Sequence, residues 1–561
     1  MTYRPGPIAV LFPARTAPAR CRSRLPGTDG VPSWPGPAPS SCTQSAYAAP
    51  ACPYPRSPTA SRSPPPVSHD THQATTTATS NPPRAGSPAP AQAPAPARAR
   101  AITLAVVLTA ELMNALDGSV VYTALPSIAA DTGATTAALQ WIDAAYVLTF
   151  ALGLITGGRL GDLYGRRRIF LAGTAVFTLS SLLCGIAGGP DLLIAARVLQ
   201  GAAAAAMVPQ VLATLHVTFD EGSRAKAFGL YGTVMSLGSV IGPVLGGVLT
   251  QADLFGLGWR PIFLINLPIG IAAVVLGRRC LPESHDRTAG TLDPLGMFLS
   301  ALGLLLITLP LTMGGEHGWP LWTFAMMAAG LLVLTGFLVQ QRAKLRKDGS
   351  PLVVLSLFTG RAFSSGLATQ LAFGLLSGVF FLSWVLFMQN GLGLTPGEAA
   401  VGFVVASLGE MGGAWLAMSL VARHGRAVPQ AGALLAALTL AGYHHLITTV
   451  GTGMGTVAAA APMLAVGFGL GMIGAPLADL TLGRVPHRHA GSASGLFNTG
   501  TQLGIALGTA LTTVIFFTHI GAGIRGPAVN TAFADSLWYV VGTLIAMGAL
   551  MQLLPQRTRT G

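Results

Sequence analysis

The chain has 561 residues, of which 51% are hydrophobic and only 9% are charged. Soluble domains carry about a quarter charged residues, so this composition excludes an ordinary water-soluble fold. The net charge of +13 does not indicate a nucleic-acid partner, because the basic residues lie in short loops and a tail, without aromatic residues interleaved among them. The five cysteines show no CxxC or CxxxC spacing, so neither a zinc site nor a disulfide framework is indicated.

Residues 1–100 are rich in Pro, Ala, Ser, Thr and Arg and contain no Lys or Glu. No apolar run in this segment is long enough to bury, so it cannot offset its ordering entropy and we predict that it is disordered. Two explanations stay open, a cytoplasmic tail or a start codon assigned too far upstream. The second needs a non-ATG start, because the next methionine is Met113.

From residue 101 onward we count fourteen apolar segments of about 20 residues, the helix length that crosses about 30 Å of hydrocarbon. Positively charged loops stay in the cytoplasm. With the N-terminus inside, twenty Arg and Lys residues of the loops and C-terminal tail fall in the cytoplasm, and two, Arg260 and Arg525, fall outside. Both termini are therefore predicted to be cytoplasmic. The segments start near residues 101, 138, 169, 191, 227, 260, 292, 321, 362, 399, 429, 453, 491 and 535.

The basic segment from Arg342 to Arg361 separates eight spans from six. Many transporters are built from internal repeats, so we predict two six-helix halves with an inserted helix pair. The predicted parts are an N-terminal half at 101–280, the inserted pair at 281–345, a C-terminal half at 346–555 and a tail at 556–561.

The loop after the second span reads GGRLGDLYGRRR and contains Gly158, Asp162, Gly165, Arg166 and Arg167. A positive-inside anchor explains the arginines but not the glycines and the acid at fixed offsets. The loop resembles the G-x-L-x-D-x-x-G-R-R pattern of the major facilitator superfamily. The resemblance implies that this loop closes the cytoplasmic gate, with Asp162 and Arg166 pairing across the two halves.

The fourth span contains the sequence RVLQG, with Arg197 and Gln200 inside an apolar segment. Burying an arginine in a membrane costs at least roughly 2.5 kcal/mol, so it needs a partner or a water-filled cavity. Extension of the side chain to the membrane surface is the structural alternative. The sequence resembles the R-x-x-Q-G motif of the superfamily, which implies a role of Arg197 in proton coupling.

The fifth span reads GSVIGPVLGG, with Gly238, Gly242 and Gly246 at every fourth position. This spacing leaves one helix face without side chains, so that another helix can approach closely. Packing alone explains such a face. A kink is expected at the pair Gly242-Pro243. The segment from Gly238 to Gly247 resembles the motif of the exporting antiporters in the superfamily.

Glu111, Asn114 and Asp117 follow one another at spacings of three in the first span. On a helix this spacing places them on an arc of about 120°, so one face can line a cavity. Two ionisable groups in one span are hard to explain as packing. The segment LDGSVVYTALP around Asp117 resembles the LDxTVVNVALP signature of the fourteen-span drug:proton antiporters of the EmrB/QacA type, with Ser119 for Thr and Tyr122 for Asn. The resemblance implies energy coupling by Asp117, and the departures leave the ligand preference open. Glu111 in the same span is a further candidate for proton coupling.

The second span opens with Trp141, Asp143 and Tyr146. Trp141 is explained equally well as a functional residue and as a residue of the membrane interface. Asp143 either attracts cationic substrates or pairs with Arg197, and the sequence does not separate these roles. The substrate-binding candidates of the whole chain are Asn114, Tyr122, Asp143, Tyr146, Gln200 and Glu410.

Three further spans of the second half carry polar residues. Glu410 lies within the tenth span and is a candidate for the translocation path, because an acid inside a membrane indicates function. Asp479, near the inner end of the twelfth span, lies either on this path or at the surface. His444 and His445 fall in the eleventh span, where a structural role is at least as reasonable as titration.

The residues and the resemblance together predict an all-α integral membrane protein of the major facilitator fold, with about fourteen transmembrane helices. No G-x-x-x-x-G-K-[ST] motif occurs, so an ion gradient rather than ATP is expected to supply the energy. The predicted function is export of small lipophilic compounds in exchange for protons. A dedicated exporter of one endogenous metabolite or antibiotic is the alternative. A membrane enzyme is least favoured, because no H-E-x-x-H or G-x-S-x-G motif occurs.

The resemblance also bears on partners and location. We expect neither a cofactor nor a metal, and no nucleic acid. The expected partners are a lipophilic small molecule, protons and the lipid bilayer. The protein is expected to function as a monomer in a bacterial inner membrane.

Overall fold

The structure is a computed structural model in which fourteen helices are long and apolar enough to cross a membrane. The described residues contain no β-strand, and they belong to one compact unit, Pro90–Gly561. Most of the segment predicted to be disordered lies outside the described residues. The structure describes residues 97–284, 291–315, 318–347, 349–394, 396–450, 455–520, 527–554 and 556.

The number of spans confirms the prediction, and thirteen of the helices start within about six residues of the predicted positions. The exception is the last helix, which begins at Pro527 and not near residue 535, because the polar residues Asn530 and Asp535 interrupt the apolar pattern of its first turns. The first helix also begins earlier than residue 101, at Ala97. The helices are α1 (Ala97–Thr132), α2 (Thr136–Tyr164), α3 (Arg166–Gly185), α4 (Pro190–Thr218), α5 (Glu221–Ala252), α6 (Pro261–Cys280), α7 (Pro294–Met313), α8 (Leu321–Lys347), α9 (Arg361–Gly391), α10 (Pro396–His424), α11 (Ala427–Val450), α12 (Thr456–Leu482), α13 (Ala490–Ile520) and α14 (Pro527–Leu550).

The helices form two groups and a separate pair. Helices α1 to α6, the N-terminal half, pack chiefly through α2 with α4, α3 with α4 and α1 with α5. Helices α9 to α14, the C-terminal half, pack through α10 with α12, α9 with α13 and α11 with α12. The halves meet where α2 contacts α13 and where α5 contacts α10 and α12. Helices α7 and α8 pack on each other, and α7 contacts α2 and α13, one helix of each half.

Most of the basic residues of the loops lie at one end of this bundle, which we call the basic end, whereas Arg260 lies at the opposite end, between α5 and α6. At the basic end, α2 turns into α3, α4 into α5 and α10 into α11. The side surfaces of the helices carry exposed apolar residues, such as Leu332 at 74% and Leu438 at 64% exposure. Such side chains suit contact with lipid. Basic residues at this end are Arg166, Arg224, Arg278, Arg346 and Arg426.

Glycines on α5 allow this helix to lie directly against α1. A Cβ atom at Gly238 would lie 2.4 Å from Ala115 Cβ, and one at Gly242 would lie 1.8 Å from Ser119 Oγ. Gly246 faces α1 in the same way. Helices in lipid associate through close van der Waals contact, since lipid tails are as apolar as leucine. The glycine face predicted from the sequence is therefore the contact surface between α1 and α5.

We predict that Gly238→Ala lowers the melting temperature of the purified protein, whereas Gly247→Ala does not. The added methyl group at Gly238 overlaps Ala115, a rigid side chain, and overpacking of this kind costs about 1–3 kcal/mol. Gly247, which follows Pro243 in the same helix, has no atom within 4 Å of the Cβ position. The melting temperatures are measured by size-exclusion chromatography of samples heated to a series of temperatures. Equal melting temperatures of the two variants would contradict the α1–α5 contact.

Candidate functional site

An ion pair between α1 and α4 lies at the centre of the N-terminal half. Asp117 and Arg197 are 1% and 0% exposed, and Arg197 Nη1 donates a hydrogen bond to Asp117 Oδ2 at 2.6 Å. Arg197 Nε donates to the backbone oxygen of Ile142 on α2 at 3.1 Å. Arg197 therefore does not extend to the membrane surface, the alternative that its sequence left open, because its charge is neutralised inside the bundle.

Amide and hydroxyl side chains complete this group. Gln200 Nε2 donates to Asp117 Oδ1 at 2.7 Å and to Ser181 Oγ at 2.8 Å, and Asn266 Nδ2 donates to Asp117 Oδ1 at 3.0 Å. We call Asp117, Arg197, Gln200, Asn266 and Ser181 the Asp117 network. Sequence reasoning missed Asn266 and Ser181. Asn266 could have been found from the sequence, because it is a single amide residue within an apolar segment. Ser181 could not, because a serine in a helix does not indicate a polar network.

A chain of contacts leads from the Asp117 network along α1 to Glu111. The Tyr146 ring centroid lies 4.1 Å from the Arg197 guanidinium carbon, a cation–π distance. Tyr146 Oη donates to Asn114 Oδ1 at 2.7 Å, and Asn114 Nδ2 donates to Glu111 Oε1 at 3.4 Å. Among the described residues, Glu111 Oε2 has no hydrogen-bond partner, although Glu111 is 0% exposed.

Tyr122 and Asp143 form a separate pair. Tyr122 Oη donates to Asp143 Oδ2 at 3.1 Å, and Tyr122 is 54% exposed. The ion-pair partner of Arg197 is Asp117, so Asp143 does not have the pairing role that the sequence left open, and its attraction of cationic substrates stays a prediction. Its carboxylate accepts a hydrogen bond from this half-exposed tyrosine.

A cavity of about 420 Å³ lies between the two halves. The structure brings three of the predicted residues to its wall, Glu111 and Asn114 from α1 and Glu410 from α10. The predicted candidates Tyr122, Asp143, Tyr146 and Gln200 are not among the described residues that line it. The wall also contains groups that sequence reasoning did not assign to substrate binding, including Tyr231, Ser236, Gln370, Asn498, Gln502 and the rings of Phe150, Phe373, Phe381, Phe403 and Phe497.

At the basic end, Asp162 of α2 caps the N-terminus of α13. Its carboxylate accepts hydrogen bonds from the backbone nitrogens of Gly491 and Ser492 at 2.9 and 2.8 Å, and from the Ser492 hydroxyl at 2.8 Å. A carboxylate is stabilised at this position by the free N–H groups and the positive end of the helix dipole. Arg166 Nη2 donates to Asp162 Oδ1 at 2.9 Å and to the backbone oxygen of His487 at 2.5 Å. Asp162 and Arg166 thus join the two halves.

Two glycines of the same loop permit this contact. A Cβ atom at Gly158 would lie 2.3 Å from the backbone oxygen of Gly491, so only glycine fits between α2 and α13. Gly165 has a φ of +103°, a conformation that favours glycine, where α2 turns into α3. Arg167 differs from Arg166, because it donates to the backbone oxygen of Arg278 within the same half.

A second buried ion pair joins the halves at the basic end. Arg224 Nε on α5 donates to Asp479 Oδ1 on α12 at 2.8 Å, and the residues are 5% and 1% exposed. His216 Nε2 of α4 lies 2.8 Å from the backbone oxygen of Val485. The sequence left Asp479 open between the translocation path and the surface, and the structure places it in this interface. We did not predict Arg224 as the partner of Asp479, because the sequence does not show which residues of the two halves are in contact.

A family model described as "Major Facilitator Superfamily" matches residues 107–509. The "Probable actinorhodin transporter" of Streptomyces coelicolor is 40% identical over 425 residues, covering 75% of this chain and 73% of the relative. The "Cephamycin export protein CmcT" of Amycolatopsis lactamdurans is 36% identical, covering 82% and 93%. The "Tetracenomycin C resistance and export protein" of Streptomyces glaucescens is 32% identical, covering 75% and 76%.

Two solved structures share the fold. The human organic anion transporter MFSD10 (TETRAN) superposes with a TM-score of 0.56 at 16% identity, covering 79% of this chain and 99% of that chain. The proton:xylose symporter XylE superposes with a TM-score of 0.57 at 13% identity, covering 81% and 95%. At such low identity these likenesses show the fold alone. The fourteen spans, the two halves, the family match and the relatives lead to one conclusion: the chain belongs to the major facilitator superfamily of multi-pass membrane transporters.

Proposed function

We propose that this transporter exports small lipophilic compounds in exchange for protons by alternating access. The observation that carries the proposal is the buried Asp117–Arg197 pair, which contacts connect through Tyr146 and Asn114 to Glu111 at the cavity. A charged group inside a membrane protein is costly to keep and indicates a role in transport.

Protonation of Asp117 is the proposed coupling step. A neutral Asp117 no longer compensates Arg197, and removing one partner of a buried pair leaves a charge that costs about 3–5 kcal/mol. The N-terminal half then has a different lowest-energy arrangement, which is what a bound proton must achieve to shift a conformational equilibrium. Each net charge that crosses the membrane supplies about 2.3 kcal/mol per 100 mV, enough for a substrate gradient of roughly fifty-fold.

The basic end provides the proposed gate. Asp162 holds α2 to α13, and Arg224 holds α5 to α12, so this end is closed while a cavity lies between the halves. Opening towards the cytoplasm must break both sets of bonds. Proton binding and substrate binding therefore act on an equilibrium between a state with these bonds and a state without them.

The cavity wall supports a lipophilic substrate, because five phenylalanine rings line it alongside a few hydroxyl and amide groups. The names of three relatives each refer to one antibiotic, namely actinorhodin, cephamycin and tetracenomycin C. These names favour the second candidate function, a dedicated exporter of one endogenous metabolite or antibiotic.

We further propose a bacterial inner-membrane location with cytoplasmic termini, and a functional monomer, because one chain encloses the cavity.

A flux experiment tests the proposed function. Inverted vesicles containing the protein are given a panel of fluorescent lipophilic compounds, and flux is followed while a pH gradient is imposed and then collapsed. We expect several compounds to move towards the acidic side only while the gradient persists. Movement of a single host-made compound would support the dedicated exporter. Flux that stays the same when the pH gradient is collapsed would contradict proton coupling.

We predict that Asp117→Asn abolishes uphill transport but retains substrate exchange between compartments without a gradient. Asparagine keeps the size of the side chain and removes the group that takes up the proton. The two assays are run on the same vesicles, with immunoblotting to measure insertion. The matched control is Asp191→Asn at the exposed start of α4, which removes an equal charge outside the network. Unchanged uphill transport by Asp117→Asn would refute the assignment.

We predict that Asp162→Asn stops transport although the protein inserts normally. The change removes the negative charge from the N-terminus of α13 and from Arg166, where a charged hydrogen bond contributes about 1.5–3 kcal/mol. Ser492→Ala is the graded comparison, because it removes one hydroxyl bond and keeps both backbone bonds. We expect a smaller loss of flux in Ser492→Ala, and equal flux in all three proteins would contradict the gate.

A further inference from the structure

A histidine of the N-terminal half makes a hydrogen bond across the basic end. His216 lies in the last turn of α4 and is 1% exposed. Its Nε2 atom lies 2.8 Å from the backbone oxygen of Val485, in the segment between α12 and α13 of the C-terminal half. A carbonyl oxygen only accepts hydrogen bonds, so Nε2 carries a hydrogen and donates it. His216 therefore joins the two halves, as Asp162 and Arg224 do.

The other ring nitrogen of His216 has no such contact. Nδ1 is buried, and none of the described residues forms a hydrogen bond with it. In the neutral ring Nδ1 carries a lone pair, whereas protonation places a hydrogen and a positive charge on the ring. The protonated ring would hold a buried donor without an acceptor. The closed basic end therefore favours the neutral ring.

The charged groups around His216 are already paired with one another. Arg166 at the start of α3 and Arg224 on α5 are the cations that face the ring. The carboxylates of Asp162 on α2 and Asp479 on α12 compensate these two arginines. A charged His216 would add a third cation to this interface, and the two acids already have their partners. Burial of a charge without a partner is costly, so the interface opposes protonation.

The neighbour of His216 in the opposite half is a second histidine. The ring of His487 meets the ring of His216 at 86°, with 5.0 Å between the centroids. Two other basic residues of the same segment, Arg484 and Arg488, are exposed to solvent, and Arg488 Nε donates to His489 Nε2. The segment therefore presents an imidazole to His216 and not a carboxylate that would stabilise its charged form.

We propose that His216 makes the gate sensitive to cytoplasmic pH, because its neutral ring holds the basic end closed and its protonation favours the open state. The inference rests on the proposed gate and adds regulation to it. Opening exposes the ring to water, which solvates the charge, so the open state binds this proton more tightly than the closed state. An imidazole titrates between about pH 5 and 8, so acidification of the cytoplasm acts on this residue.

The distance across the basic end tests the inference. Spin labels are attached at Tyr164→Cys on α2 and Ala422→Cys on α10, two exposed positions in opposite halves, in the full-length protein with its native cysteines replaced. Double electron–electron resonance measures the distance in nanodiscs at about pH 8 and about pH 5.5, without substrate or gradient. We expect the ratio of open to closed molecules to be about tenfold higher at the lower pH, because one pH unit below the ordinary pKa of histidine changes this ratio tenfold.

Variants assign the pH response to a residue. His216→Gln keeps a neutral N–H donor for the Val485 oxygen and takes up no proton in this pH range, so we expect it to remain closed at both pH values. His216→Asn is a second variant that does not titrate, in case glutamine prevents folding. His445→Gln, at an exposed position of α11, is the matched control and is expected to retain the full response. An acid response that persists in the His216 variants, or that is lost only in His487→Gln, would overturn the inference.

The gate and its response to pH can fail separately. We expect Asp162→Asn in the labelled protein to open the basic end at both pH values. If it does, but the unsubstituted protein does not respond to pH, the result supports the gate and refutes the role of His216. A response that depends on His216, together with absent gradient-driven flux in vesicles, supports the pH-sensitive gate and refutes proton-coupled export. A basic end that stays closed under all these conditions would refute the gate and the role of His216 together.

Discussion

The low dielectric constant between the helices is the constraint on which this structure depends, because it requires that each buried charge be compensated. The Asp117–Arg197 pair satisfies this requirement in the N-terminal half. Its further hydrogen bonds involve Gln200, Asn266 and the backbone oxygen of Ile142, so the pair fixes α1, α2, α4 and α6 relative to one another. Glycines on α5 then allow close packing against α1, where no hydrophobic effect drives association.

Five acids inside the described bundle differ in how they are compensated. Asp117, Asp162 and Asp479 each have an arginine partner within 3 Å. For Asp162 and Asp479, the compensation includes groups of the opposite half, so these acids hold the basic end closed. Glu111 and Glu410 lack such partners and line the cavity. The compensated acids hold helices together in this conformation, and the proposed protonation of Asp117 acts on one of these pairs, whereas Glu111 and Glu410 have no ion pair to break among the described residues.

Much of the architecture was predictable, because apolar segments of about 20 residues identify spans whatever their tertiary neighbours. The start of α14 was the largest error, since Asn530 and Asp535 disturb the hydropathy of a segment that is still helical. The candidate site was predictable only in part. Motifs identified Asp117, Arg197 and Asp162, while the partners Asn266, Arg224 and Ser492 lie far away in sequence and belong to no pattern that we recognised.

The sequence by itself determined the lipid environment, the number of spans and the residues with costly buried charges, because these depend on composition and local spacing. Only the tertiary structure decided which charge compensates which, since the partners come from different helices and often from different halves. It also gave Asp143 a tyrosine as its hydrogen-bond partner and brought Glu111 and Glu410 to one cavity. Neither result follows from local spacing, because the distance between two helices depends on the packing of all the others.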